Sequence, residues 1–484
     1  MSETAKPEAR VKAAIRARGA AHLAYILPAL AYATWLTAAP PSAPVIELDT
    51  PSYLHFSATR TAGYPYFLWT VEWLTGDARN AVHFQVWIFA AALGALGHAI
   101  LRKTRSALFA AGLVIAIAIN PELARFHFSL ITESLFVSVT VLIIAFLIRT
   151  TYRPSWQDAA ALSALMGVAI ALRPVGYAFL PLLAVLALLR WRDLKPSRLR
   201  FLAAAVLPAV LMILLETAVY AAHNGLPRKS LAGLHAFGKA ALVDTGAANP
   251  YAEDSPYRAL WDTLETGAAP ARRFIGDAPG FGARKLLRGH YESVMQYSFA
   301  RPEIAAAKEA AGLSAHQVMA EVGFERLAAA PAAYLRLAAN HFGGLWLLYG
   351  ASHPGTATRL NAYLDANRPL PLLAELDSEG PLSEPIPSRR IASVVQPVVL
   401  ALGSLTAIAI LAAAIAFLRG RAPPALFVAG LCGLMVNGNF LLIALTAIGL
   451  ARYTLAMWPG SVACAAFLAW AVVEEIAAAR RRVR

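Results

Sequence analysis

The chain has 484 residues, of which 58% are hydrophobic and 15% are charged. Soluble domains carry about 25% charged residues, and a mean hydropathy of +0.53 is too high for a chain that folds in water. These values exclude a soluble enzyme, a disordered protein and a nucleic-acid-binding module, although the net charge is +14. The two cysteines, Cys432 and Cys464, both lie in apolar runs, which excludes a disulfide framework and a thiolate metal site.

Apolar segments long enough to cross a bilayer recur along the chain. A helix needs about 20 such residues to span the hydrocarbon core. Ten segments qualify, and in chain order they are 21–39, 81–101, 106–120, 130–148, 156–172, 174–190, 201–221, 391–418, 425–447 and 454–473. The predicted fold class is therefore an all-α polytopic membrane protein with about ten transmembrane helices, an acid-bearing periplasmic first loop and a periplasmic domain.

The basic residues predict how these spans are oriented. Residues 1–20 are polar and basic and contain no signal-peptide cleavage site, so we expect a retained cytoplasmic tail. With that orientation, about half of the 43 Lys and Arg residues fall in short cytoplasmic segments, as the positive-inside rule requires. An even number of spans returns the Arg-rich C-terminus to the same side.

The stretch 222–390 is too polar to span a membrane and is predicted to be a periplasmic domain. Within it, 334–350 is apolar but carries charged and polar side chains, so we expect an interfacial helix there and not an eleventh span. The predicted organisation is a tail (1–20), an N-terminal transmembrane catalytic module with spans one to seven and a first periplasmic loop at 40–80 (21–221), the periplasmic domain (222–390), and the C-terminal spans and tail (391–484).

The first outside loop carries the acids Glu47 and Asp49. They are two residues apart, so an extended backbone points both carboxylates the same way. A carboxylate in a low-dielectric pocket gains basicity and suits general-base work on a hydroxyl or amine. The alternative is a pair of solvated loop acids. The loop has more aromatic and basic character than a connector needs, in Tyr53, His55, Arg60 and Tyr64.

The second outside loop places Glu133 at the start of an apolar helix. An acid at that depth is costly unless it is paired or lines a wet cavity, and this makes it a functional candidate. The alternative is an acid that the helix dipole favours, an effect of about 0.3–1 kcal/mol. His127 lies beside Glu133 in this loop as His55 lies beside Asp49 in the first. The histidines show no metal-ligand spacing on one helix.

Arginines stand at three of the loop–helix junctions predicted to face outward: Arg60, Arg173 and Arg452, the last followed by Tyr453. This is the face on which the positive-inside rule disfavours them. Because a guanidinium binds phosphate through two parallel hydrogen bonds, these residues are candidates for binding a lipid-linked phosphate or pyrophosphate. Snorkelling of single arginines to the interface is the alternative.

Four motifs follow in order on the predicted outer face: R-x-x-G-Y-P from Arg60, P-E-L…L-x-T-E-S-L-F around Glu133, L-R-P-x-G-Y around Arg173 and R-Y-x-L-x-x-x-P from Arg452. Together they resemble the GT-C superfamily of integral-membrane glycosyltransferases, and in particular the bacterial branch similar to protein O-mannosyltransferases and lipid A aminoarabinose transferases. The resemblance covers roughly 1–190 and 391–475.

The resemblance implies a sugar donor linked to polyprenyl phosphate and a periplasmic or outer-leaflet acceptor, which is a lipid, a glycan or a protein. Asp49 matches the first-loop acid that activates the acceptor, and Glu133 matches the second-loop acid. Arg60, Arg173 and Arg452 stand where the family holds the donor phosphate. Thr50 follows Asp49 where the stricter pattern has a second acid, which argues against a protein O-mannosyltransferase in particular.

The predicted function is therefore inverting glycosyl transfer in a bacterial inner membrane, with both termini cytoplasmic and the active site periplasmic. No cofactor is required, although Asp49 and Glu133 are compatible with a bound Mg²⁺ or Mn²⁺. Membrane lipids are expected partners and nucleic acid is not. Two alternatives stay open: a flippase or transporter of lipid-linked sugars, and a polymerase or ligase of surface polysaccharide.

Overall fold

The structure of the protein is a computed structural model. It describes residues 7–38, 40, 43–47, 49–191, 194, 197–226, 228–347, 386–420, 423–447 and 451–483. These residues are helical apart from turns and loops, and an isolated bridge between Val45 and Ser129 is the one strand-like pairing in this part of the chain. The predicted all-α fold class is confirmed for the described residues.

The N-terminal half forms ten α-helices. They are α1 (Pro7–Ala38), α2 (Thr50–Leu54), α3 (Gly63–Thr75), α4 (Ala81–Thr104), α5 (Ala107–Ala118), α6 (Pro121–Phe128), α7 (Glu133–Tyr152), α8 (Trp156–Leu172), α9 (Pro181–Leu189) and α10 (Arg198–Asn224). The remaining helices are α11 (Ala232–Ala241), α12 (Arg258–Asp262), α13 (Ala269–Asp277), α14 (Gly280–Tyr297), α15 (Arg301–Ala311), α16 (Ala315–Ala329), α17 (Pro331–Leu345), α18 (Ile386–Leu418), α19 (Pro424–Thr446), α20 (Ala451–Ala456) and α21 (Trp458–Val483).

Each of the ten predicted spans falls on helical structure. Within the described ranges, six helical segments are long and apolar enough to cross a membrane: Ala78–Thr104, Glu133–Tyr152, Arg198–Asn224, Gln396–Leu418, Pro424–Thr446 and Trp458–Arg480. Three apolar segments are shorter: Ala107–Ala118, Trp156–Leu172 and Pro174–Leu189. The last of these is a 3₁₀ turn over Pro174–Phe179 followed by α9, because prolines at both starts interrupt regular helix. The protein is an integral membrane protein.

The chain divides into two compact units. The first comprises Met1–Arg228, Ser404–Asn439 and Leu455–Arg484, and the second comprises Lys229–Gly403 and Phe440–Thr454. The second unit thus begins seven residues after the predicted start of the periplasmic domain at 222 and takes in part of the predicted C-terminal spans. One reason is a hydrogen bond of 2.7 Å from the Tyr334 hydroxyl on α17 to the carbonyl of Leu445.

Helix α7 is the centre of the first unit. In its apolar window 83% of the residues are buried, against 17% for α10, whose leucines face outward as lipid-exposed residues do. The hydroxyls of Ser138 and Thr140 donate to the carbonyls of the residues four positions earlier, so these buried polar groups are satisfied within the helix. Because α7 is buried, the residue at its first turn, Glu133, is fixed by the packing of the whole unit.

The second unit contains a helical domain with its own core, built around Phe237, Trp261 and Tyr291. Its last helix, α17, covers most of the predicted interfacial segment 334–350, of which residues 348–350 lie outside the described residues. The interfacial position of this helix stays a prediction. His341 on α17 is buried, and its two ring nitrogens lie 2.8 Å from Lys239 Nζ and 3.2 Å from a carboxylate oxygen of Glu292.

Candidate functional site

The first and second outside loops are joined by their backbones at the end of the helical bundle. The Val45 amide donates to the carbonyl of Phe128 over 2.8 Å, and the Leu130 amide donates to the carbonyl of Val45 over 3.3 Å. Five residues further on, the Thr50 hydroxyl donates to the carbonyl of Leu130 over 3.2 Å. These contacts hold the acid-bearing segment of the first loop against the residues that lead into α7.

Asp49 forms an ion pair with Arg60. Arg60 Nη2 lies 2.6 Å from Asp49 Oδ1, and 27% of the Asp49 side chain remains exposed. The same guanidinium donates to the Ser52 hydroxyl over 2.8 Å and to the Tyr53 hydroxyl over 3.3 Å, and it lies 4.6 Å from the centre of the Tyr53 ring. Arg60 is thus held by Asp49 and by two residues of α2, and part of the Asp49 side chain stays exposed.

Glu133 forms a second ion pair, with Arg173. Glu133 Oε1 lies 2.8 Å from Arg173 Nη1, and the two side chains are 2% and 13% exposed respectively. Arg173 stands at the end of α8, where Pro174 begins the 3₁₀ turn. The pair therefore joins the first residue of α7 to the turn after α8 and is almost completely withdrawn from water.

Tyr53 lies beside both ion pairs. Its side chain is buried, and burial raises its pKa above the usual value while the neighbouring Arg60 opposes that shift. Glu133 and Arg173 also lie close enough to act on its charge, and Thr132 is within hydrogen-bonding reach of both Tyr53 and Glu133. Two acids and two arginines from three separate segments are thus gathered around one phenol, with balanced charge.

The two G-Y motifs converge on the C-terminal end of α8. A Cβ added at Gly63 would lie 2.6 Å from the carbonyl oxygen of Ala171, and one added at Gly176 would lie 2.6 Å from the carbonyl carbon of Ala169. The Thr61 hydroxyl donates to the carbonyl of Leu172 over 2.9 Å. Glycine is required at both positions because backbone meets backbone there, and this contact places Arg60 and Arg173 at the same helix end.

Tyr64 and His127 form hydrogen bonds that connect the site to the helical bundle. The Tyr64 hydroxyl donates to Gln85 Oε1 over 2.9 Å, and Gln85 Nε2 donates to the carbonyl of His127 over 2.8 Å. His127 Nδ1 lies 2.7 Å from the Ser134 hydroxyl, and its ring packs against Phe89. Burial lowers the pKa of His127 to about 3, so its ring is neutral at neutral pH. These residues connect the site to the bundle.

The remaining four candidates are Glu47, His55, Arg452 and Tyr453. Glu47 pairs with the exposed Arg125 at 2.9 Å, and His55 is exposed at the end of α2. Arg452 and Tyr453 belong to the second unit, where the guanidinium lies 5.8 Å from the centre of the tyrosine ring. Their predicted role in binding the donor phosphate stays a prediction.

Glu216 is a site-supporting residue that the sequence reading missed. It lies in α10 and accepts hydrogen bonds from the Ala62 amide, over 2.8 Å, and from Arg228. It thereby anchors the turn between Arg60 and Gly63. The signal was present, because an acid inside an apolar run such as LMILLETAVY is a functional or structural candidate by the rule applied to Glu133.

Among the described residues, no group of three or more His, Cys, Asp or Glu side chains is arranged to hold a metal ion. Asp49 and Glu133, the two predicted candidates, are each paired with an arginine. A divalent cation bound to either carboxylate would have to compete with a guanidinium. The positive charge at the site is supplied by the chain itself.

No family model matches the sequence, and no curated protein matches it. Among solved structures, the chain is similar to that of ArnT from Cupriavidus metallidurans bound to undecaprenyl phosphate. The match covers 90% of this chain and 76% of that chain, with 15% identity and a TM-score of 0.36. At this identity and TM-score the function has to be inferred from the site itself.

Proposed function

We propose that the protein is a membrane glycosyltransferase that moves a sugar from a polyprenyl-phosphate donor to a periplasmic or outer-leaflet acceptor, which is a lipid, a glycan or a protein. The observation that carries the proposal is the pair of acid–arginine contacts, Asp49–Arg60 and Glu133–Arg173, beside Tyr53 at one end of an apolar helical bundle. Such a site offers a base and anion-binding groups where a lipid carrier can reach them.

The arginines suit the donor phosphate. A guanidinium binds phosphate oxygens in a bidentate manner, and in a site with little water each such contact is stronger than in solution. Arg173 sits in a buried ion pair and Arg60 in a half-buried one, so both are pre-positioned by a carboxylate before the donor binds. Arg452 is proposed as a third phosphate ligand, with Tyr453 beside it.

Asp49 is proposed as the general base. The acceptor oxygen or nitrogen attacks the anomeric carbon, and its proton passes to the Asp49 carboxylate. The bond between the anomeric carbon and the phosphate oxygen breaks, and the departing polyprenyl phosphate keeps the electron pair. Arg60 and Arg173 stabilise the charge that develops on it. One displacement predicts inversion at the anomeric carbon.

The resting ion pair couples the base to the donor. Arg60 Nη2 contacts Asp49 Oδ1 at 2.6 Å and so occupies this carboxylate oxygen in the resting site. Donor phosphate that draws Arg60 away leaves that oxygen able to accept the proton of the acceptor. In this mechanism Asp49 becomes an effective base only when the donor is present, which limits wasteful reaction. Glu133 positions Arg173 and balances its charge until phosphate arrives.

The proposed location is a bacterial inner membrane, with both termini in the cytoplasm and the site on the periplasmic face. The support is the distribution of Lys and Arg along the sequence. Because arginines supply the charge at the site, transfer is proposed to need no metal. Activity that survives EDTA supports this part of the proposal, and activity restored only by Mg²⁺ or Mn²⁺ contradicts it.

The experiment is a transfer assay with the purified full chain in lipid nanodiscs. A panel of sugars linked to polyprenyl phosphate is supplied with a membrane extract as the acceptor source, and release of free polyprenyl phosphate is measured by mass spectrometry. Release with one donor of the panel, together with a sugar mass added to a component of the extract, is expected. Intact donor that only changes leaflet in proteoliposomes would instead identify a flippase.

A further inference from the structure

A second charged site lies at the other end of the first unit. It is a cavity of about 350 Å³ between the last turns of α4 and α7 and the start of α8, with a mainly polar lining. Its side chains include His98, Arg102, Lys103, Arg149, Arg153 and Asp158. Helix α7 runs from Glu133 to Tyr152, 20 residues or about 30 Å, so this cavity and the candidate site lie at opposite ends of that helix.

The lining of the cavity has a strong excess of positive charge. Four of its residues are Arg or Lys, and Asp158 is the one acid among the described lining residues. Asp158 already pairs with Arg149, at 2.6 Å. Arg102, Lys103 and Arg153 therefore share this cavity with no second carboxylate among the lining residues that the structure describes. Like charges held around one cavity repel, and a bound anion removes that cost.

The backbone at the start of α8 adds to the positive electrostatic potential of the cavity. Ser155 is the N-cap of α8, and its hydroxyl accepts a hydrogen bond from the Asp158 amide over 3.1 Å. Ser155 and Asp158 line the cavity at the N-terminus of this 17-residue helix, and a helix N-terminus carries partial positive charge. The basic residues and the helix terminus thus act in the same direction.

General rules of membrane proteins explain only part of this arrangement. The positive-inside rule and the helix dipole both favour cations near the ends of α4 and α7. Neither requires that cations from two helices surround one polar cavity. Two other cavities of this unit show the contrast, since they have mainly apolar walls, one around Phe109 and Val462 and the other around Trp156 and Leu207.

We propose that this cavity binds a phosphate group, as a phosphomonoester or a phosphodiester. Each arginine can donate two parallel hydrogen bonds to phosphate oxygens. The volume of the cavity is within the range of small-ligand sites. Two sources present this chemistry at the end of a transmembrane bundle: the headgroup of an anionic phospholipid and free phosphate or pyrophosphate. The proposal does not depend on the glycosyltransferase activity and is tested without it.

The test is thermal unfolding of the purified full chain in a neutral detergent. The probes are short-chain phosphatidylglycerol, inorganic phosphate and pyrophosphate, with short-chain phosphatidylcholine as the neutral control. A rise in Tm of several degrees with phosphatidylglycerol alone identifies a lipid headgroup site, and a rise with phosphate or pyrophosphate identifies a site for the free anion. No rise with any anion, or an equal rise with phosphatidylcholine, would overturn the proposal.

A matched pair of variants locates the binding. Arg102→Gln combined with Arg153→Gln removes two cavity cations, whereas Arg105→Gln removes a neighbouring cation that does not line the cavity, and all three side chains are exposed. We expect the double variant to lose at least tenfold in apparent affinity and Arg105→Gln to stay within twofold. Equal losses in both would assign the effect to overall charge and refute the site.

A second measurement covers the case in which the double variant does not fold. Lys103→Gln is a milder change in the same cavity, and it should weaken binding by severalfold. For the unmodified protein, the anion-dependent rise in Tm should shrink when the NaCl concentration is raised about tenfold, because salt screens the attraction between the basic side chains and the anion. Binding that is indifferent both to Lys103→Gln and to salt would contradict a phosphate site.

Discussion

Arg173 and Glu133 form an ion pair of 2.8 Å that is almost completely sealed from solvent, with exposed fractions of 13% and 2%. Charges in such surroundings are screened little, so each depends on the other. The pair also joins two segments that are far apart in the chain, the first turn of α7 and the turn after α8. The same contact therefore fixes the local structure and, in the proposed mechanism, holds Arg173 in position for the donor phosphate.

Removing one member of this pair should be more harmful than removing both. Glu133→Leu or Arg173→Met alone leaves an uncompensated buried charge, and we expect a loss of about 3 kcal/mol in unfolding free energy. The double variant Glu133→Leu, Arg173→Met should lose less than either single variant, because no unpaired charge is then left buried. Thermal unfolding in detergent measures all three.

The exposed pair Asp77–Arg79 provides the control for this cycle, because its 2.7 Å contact lies at the surface. Arg79→Met should leave Tm unchanged, since surface ion pairs contribute little. Additive losses in the Glu133, Arg173 cycle would show that the two side chains do not depend on each other.

A methyl group at Gly63 should disturb the site by pushing apart the backbones of α3 and α8. Gly63→Ala would place Cβ 2.6 Å from the Ala171 carbonyl oxygen, so α3 or α8 has to shift, at a cost of about 1–3 kcal/mol. We expect a lower Tm together with reduced transfer. Gly94→Ala is the matched control, because no atom lies within 4 Å of its added Cβ and alanine favours helix. Equal Tm values for the two variants would contradict the close approach seen at Gly63.

The helices were predictable from sequence and the ion pairs were not. Bilayer thickness demands long apolar runs, so each predicted span coincides with helical structure. Asp49, Arg60, Glu133 and Arg173 were each recognised as candidates from their positions at loop–helix junctions. Which acid faces which arginine depends on how α8 packs against the G-Y turns, and one sequence holds no record of that packing.

His127 should make the stability of the protein depend on pH. Burial lowers its pKa to about 3, so the folded protein binds fewer protons than the unfolded chain, in which the pKa is about 6.5. The stabilisation is therefore complete above the unfolded pKa and is lost as pH falls from 6.5 toward 3. At pH 5 the loss amounts to about 2 kcal/mol.

The measurement is the difference in Tm between pH 7.5 and pH 5 for the unmodified chain and for His127→Phe. Phenylalanine keeps an aromatic ring against Phe89 but cannot take up a proton. The drop in Tm should be smaller in the variant, since other titrating groups are common to both proteins. An identical drop would show that His127 does not contribute.

Replacing Arg452 should change the KM for the donor more than the KM for the acceptor. If it binds the donor phosphate, Arg452→Ala removes a charge-assisted contact and should raise the KM for the donor at least tenfold, while the KM for the acceptor stays within twofold. Arg419→Ala, a basic residue after α18, serves as the control. Equal changes in both KM values would argue against a role in phosphate binding.

The most direct test of the proposed function concerns Asp49. It compares the rate of sugar transfer by the Asp49→Asn variant with the rate of the Asp77→Asn variant. Both acids lie in the same loop region and both pair with an arginine, at 2.6 and 2.7 Å respectively. With Asp49 as the base, its replacement should lower kcat at least about 100-fold, while expression, membrane insertion and Tm remain close to those of Asp77→Asn. Turnover by Asp49→Asn at the rate of Asp77→Asn would remove Asp49 from the chemistry and contradict the mechanism.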